Sequence, residues 1–154
     1  MTRAWAILAA CALAGSPGAG RDGYRPTTLA TAVEACRVRA AGRDPFFASD
    51  AILVHVVYAG RKRLVPAERR SFLQRWTRSV GVRPGVAALF AEELLFREGT
   101  REIWLPVQAP LVPRIEKDLR PGHAADLRLL SAGAQRGDCI FLVNEIEAAS
   151  GARP

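Results

Sequence analysis

Histidine is nearly missing from this chain: 154 residues contain two, His55 and His123. Cysteine is almost as scarce, with three residues and no C-x-x-C pair. That leaves too few nitrogen and sulfur ligands for a structural zinc site. H-E-x-x-H, G-x-S-x-G and Walker-type loops are also lacking, so the usual signatures of zinc hydrolases, serine hydrolases and P-loop enzymes are absent. Lysine is the third shortage. Arginine outnumbers it twenty to two, beside abundant alanine, glycine and proline. A GC-rich coding bias produces such a ratio, so the number of arginines says little about nucleic acid. Their positions say more.

No apolar run reaches the 20 or so residues that a bilayer crossing takes. The run Trp5 to Ala14, ten residues without a charge, follows Arg3 at the start of the chain. Ala12-Leu13-Ala14 is an A-x-A site with Gly15 after it, the pattern of a cleaved export signal over residues 1–14. Leu8-Ala9-Ala10-Cys11 also resembles the bacterial lipobox, which implies a second export route with Cys11 lipidated. The expected compartment is the periplasm, with lipid anchoring or secretion as alternatives. "GAGRDG", Gly18 to Gly23, matches G-x-G-x-x-G in form only. No strand precedes it and no apolar-periodic helix follows, so a phosphate would have nothing to rest on.

Residues 15–26 are small, polar and Pro-containing, and read as a flexible leader. Thr27 or Thr28 can cap a helix on which Leu29, Val33, Cys36 and Ala40 share one face, ending at Gly42. Ala51 to Gly60 is rich in β-branched residues without alternation, and reads as a strand covered on both faces. His55 sits within it as an expected packed or hydrogen-bonded, neutral side chain. Pro66 opens a second helix with Phe72, Leu73, Trp76 and Val80 as its apolar stripe. A short helical turn then precedes a strand from Glu92, and a hairpin turns at Glu98-Gly99-Thr100. A short helix falls between Pro110 and Arg120, and a second hairpin crosses "AQRGD". From Ala149 the chain is expected to fray.

The expected class is α+β: one small domain over residues 27–148, with about five mostly antiparallel strands, an N-terminal helix and a basic amphipathic helix. Five strands with a helix between the third and fourth follow the element order of an OB-like barrel. Cys36 and Cys139 are a candidate disulfide in an exported chain, with two buried thiols as the alternative.

Charge is concentrated. Residues 61–83 hold eight cations and one carboxylate, a net +7 that equals the charge of the whole chain. On a helical projection Arg70, Arg75 and Arg78 point away from the apolar stripe, while Arg69 lies nearer to it. Such a helix either attracts an acidic protein or anionic surface, or is a solvated face over a packed one. Trp104 lies on the strand face opposite Ile103, Leu105 and Val107. It is either a stacking platform or part of a small core under the basic helix. His123 and Asp126 are a weak catalytic pair, with no nucleophile beside them.

The expected function is therefore an exported, non-enzymatic accessory or interaction protein for an acidic partner or anionic envelope surface. Its expected contacts are Arg63, Arg70, Arg75 and Arg78. An OB-like binder of oligosaccharide or peptide using Trp104 is the alternative, and a small hydrolase the third. No metal or cofactor is expected. The membrane is expected to be met only peripherally or through a lipid anchor, and export disfavours nucleic acid.

Overall fold

The computed structural model describes residues 23–149. The expected export signal over residues 1–14, with Cys11, and the tail beyond Ala149 lie outside the described residues. Six strands form one mixed sheet: β1 (Arg25–Pro26), β2 (Phe46–Leu64), β3 (Glu92–Glu98), β4 (Arg101–Val107), β5 (Ala124–Gln135) and β6 (Asp138–Ala148). Three α-helices interrupt them: α1 (Leu29–Ala40), α2 (Ala67–Ser79) and α3 (Val112–Asp118). The class is α+β, with a 3-10 turn at Val86–Leu89 ahead of β3 as expected. Arg25–Pro26, within the segment read as leader, pairs in parallel with Ile52 and Leu53.

The strand order is β1-β2-β3-β4-β6-β5, and β5 also pairs with β2. The last five strands therefore form a ring in the OB-like element order. It is not a true barrel, because β4 and β6 meet at one residue pair, Val107 with Val143.

β2 makes the ring possible. Its first part pairs with β5 as far as Val57, and its last part pairs with β3 as far as Leu64. The two pairings overlap at Val57, and a bulge between Tyr58 and Lys62 follows in the β3 ladder, where local twist rises. Gly60 occupies the bulge at φ +75°, and a Cβ there would stand 2.3 Å from Pro121 Cγ. Ile52, Val54, Val56 and Tyr58 are buried, whereas His55 is exposed. Only one face of this strand is fully buried, against the expectation of two. The outward positions Leu53 and Val57 are also apolar, and that hid the alternation.

Two cores result. The main one lies inside the ring, where α1 contributes Leu29, Val33 and Cys36, and α3 contributes Val112 and Ile115. Thr28 caps α1 through its side chain. Both carboxylate oxygens of Glu98 accept from the Leu29 and Ala30 N–H groups, at 2.8 and 3.0 Å. The second core lies outside the ring, where Phe72, Leu73 and Trp76 of α2 pack with Leu130, Ala132, Ile140 and Leu142. Cys36 and Cys139 are bridged, with Cα atoms 6.3 Å apart, so α1 is tied to the start of β6.

Two tests follow from this packing. The bridge spans 103 residues, so its reduction should remove about 4–5 kcal/mol by chain entropy. Thermal unfolding with and without reductant reads the loss. Gly133 has φ +116°, and a Cβ there would lie 1.9 Å from the Phe46 carbonyl oxygen. Gly133→Ala should destabilise by roughly 3 kcal/mol or more, and Gly137→Ala, which meets open space, by about 1 kcal/mol.

Candidate anionic-partner surface

The site begins with strand register. Arg63 pairs with Glu93, Glu93 with Pro106, and Leu95 with Trp104. Side chains alternate across a strand, so these residues share the outward face of β2, β3 and β4. Glu93 is nevertheless 0% exposed. Its carboxylate accepts from Arg63 Nε and Nη2 at 2.5 Å and from Arg69 Nη1 at 2.8 Å. Arg69, in the first turn of α2, also donates to Asp138 at 2.9 and 3.0 Å and to the Trp104 carbonyl at 3.1 Å. The expectation that Arg69 turns toward the packed face thus holds, but its guanidinium serves an ion cluster.

Trp104 is half-buried and lies outside both hydrophobic cores. The Arg63 guanidinium sits 4.1 Å from the centre of its ring and that of Arg61 5.6 Å, within cation–π reach. The small core beneath the basic helix is built on Trp76 instead. Its indole N–H donates to the Ala48 carbonyl at 2.7 Å.

The arginines of α2 do not act as one stripe. Arg70 is exposed and donates to the Val65 carbonyl at 2.6 Å. Arg75 is half-buried, donates to the Gln135 side chain, and leaves a buried Nε without a partner. Arg78 is exposed. Lys62 pairs with Glu116 at 2.9 Å and Glu92 at 3.5 Å, and the hydrogen bond to Glu116 holds its ammonium above the ordinary lysine range. Among the described residues, Arg61, Arg70, Arg75, Arg78 and Arg83 have no carboxylate partner. The local +7 is therefore reduced by acids brought from β3, α3 and β6, but not cancelled.

The histidine–carboxylate pairing is not the one expected. His123 does not meet Asp126; its Nδ1 accepts from the Arg120 N–H at 3.4 Å. Asp126 faces His55 across the β2–β5 ladder, with the Nδ1 atom 2.7 Å from its carboxylate. Both side chains are exposed, at 64% and 39%, and register alone joins them. Glu145 and Glu147 both pair with Arg128. No three His, Cys, Asp or Glu side chains converge as metal ligands among the described residues. No helix among them is long and apolar enough to cross a membrane.

Neither the known family models nor the curated proteins contain a match to this chain.

Residue-by-residue reading missed Glu93, Arg69 and Asp138 as a unit. The one local signal was an acid set among Leu94, Leu95 and Phe96 in a strand. Replacing Glu93 with Gln removes the charge that two arginines share. It should cost about 3–5 kcal/mol, whereas Arg78→Gln should stay within about 0.5 kcal/mol of wild type. Urea unfolding of the two variants measures the contrast.

Proposed function

We propose that this is a non-enzymatic interaction module for an acidic partner, met by the basic surface that residues 61–83 carry. The observation that supports this is the surplus of guanidinium groups after internal pairing. Five arginines of the segment lack a carboxylate partner among the described residues, and Arg61, Arg70, Arg78 and Arg83 of these are exposed. Exposed like charges raise the local concentration of an oppositely charged partner and speed its arrival. Arg63 belongs to this surface with one edge held by Glu93. Arg75 supports it from a half-buried position.

The partner is an acidic protein or an anionic envelope surface, and the module works outside the cytoplasm. The Cys36–Cys139 bridge supports that compartment, since such bonds persist under oxidising conditions. Binding of a neutral sugar or peptide by stacking on Trp104 is the weaker reading, because Arg63 lies over that ring. Hydrolysis has less support still: among the described residues, no serine, threonine or cysteine hydrogen-bonds to the His55–Asp126 pair.

Binding to vesicles containing phosphatidylglycerol and to polyglutamate, followed across a salt series, tests the proposal. Wild type should bind at low salt and be released as screening rises. Arg78→Glu with Arg83→Glu should weaken binding about tenfold or more. Absence of wild-type binding, or binding indifferent to both salt and charge reversal, would refute it.

A further inference from the structure

We infer that Arg61 and Arg63, gathered on Trp104, form a subsite for one tetrahedral oxyanion, a phosphoryl or sulfuryl group. The inference rests on the acidic-partner reading and names the group that the partner presents. Three guanidiniums (Arg61, Arg63 and Arg69) and only two carboxylates, Glu93 and Asp138, gather around this ring. Arg69 lies deep, its side chain 16% exposed, and both of its nitrogen edges are engaged. The uncompensated charge therefore sits on the outer pair.

Arg63 is prepared as a donor. Nε and Nη2 are held by Glu93, and its side chain remains 43% exposed. The Nη1 edge has no partner among the described residues. The indole holds the guanidinium plane by cation–π contact, so little side-chain freedom is lost when an anion arrives. Arg61 brings a second fork to the same ring with no carboxylate of its own. A carboxylate is planar and matches one fork. A tetrahedral group carries acceptors in several directions, so it can meet two forks that approach from different sides, and its charge relieves their repulsion.

The test uses the full chain at constant ionic strength, with chloride making up the balance. Inorganic phosphate, inorganic sulfate and acetate are titrated while tryptophan emission is followed. Subtracting the Trp104→Phe signal removes the contributions of Trp5 and Trp76. A saturable change with phosphate or sulfate, at least tenfold weaker with acetate and lost in Arg61→Gln, is the expected result. Arg63→Lys should weaken it at least tenfold while circular dichroism stays native. Phosphatidylglycerol and neutral vesicles form a parallel arm. If only the anionic vesicles change Trp104 emission, and Arg61→Gln abolishes the change, the group is a lipid phosphate.

No change with any of these probes, an equal response to acetate, or a response retained in Arg61→Gln overturns the subsite. The two proposals fail separately. Polyglutamate binding lost in the Arg78/Arg83 variant, with Trp104 silent to every anion, keeps the interaction module and removes the subsite. Phosphate binding without polymer or vesicle binding does the reverse.

Discussion

The buried carboxylate of Glu93 is the constraint around which the rest of this molecule is arranged. A carboxylate without solvent is tolerated only when opposite charge and hydrogen bonds replace its water. Arg63 supplies this from β2 and Arg69 from α2. Arg69 then reaches the Trp104 carbonyl on β4 and Asp138 on β6. The strand ring is joined between β4 and β6 by one backbone pair. A guanidinium links those two strands where their ladder is missing. The ion cluster thus closes the sheet, seats the first turn of α2 and fixes the direction of Arg63 together.

The consequence for function is a division of labour among arginines that look alike in the chain. Arg69 is internal, Arg63 is half structural and half displayed, and Arg61, Arg78 and Arg83 are left for solvent or a partner. Arg70 finishes a backbone connection at Val65, and Arg75 reaches across to Gln135. A count of positive charges would treat all of these as one patch. Their burial and partners separate the groups that hold the fold from those free to meet an anion.

The disulfide and the second core add a different kind of support. The bridge joins α1 to β6 across most of the chain, and the Trp76 cluster fastens α2 to the outside of β5 and β6. On the outward face of β3 and β4, Arg63 and Arg69 hold Glu93, and Arg61 and Arg63 lie over Trp104. Those arginines cover Trp104 and present charge with the same atoms, so the surface that protects the indole is also the surface proposed to meet a partner.

Element types were legible in the chain because their causes are local. Thr28 caps α1, Pro66 stands just ahead of α2, Gly99 and Gly137 lie in hairpin turns, and apolar spacing separates the inward faces. The concentration of charge in residues 61–83 was equally plain. The pairing of Cys36 with Cys139, the meeting of His55 with Asp126, and the burial of Glu93 were decided only by tertiary structure. Each depends on which elements become neighbours, and for His55, Asp126 and Glu93 a single residue of strand slip would turn the side chain to the opposite face. Local propensity gave the pieces and their charge; only the closing of the ring determined which charges meet an acid and which remain exposed.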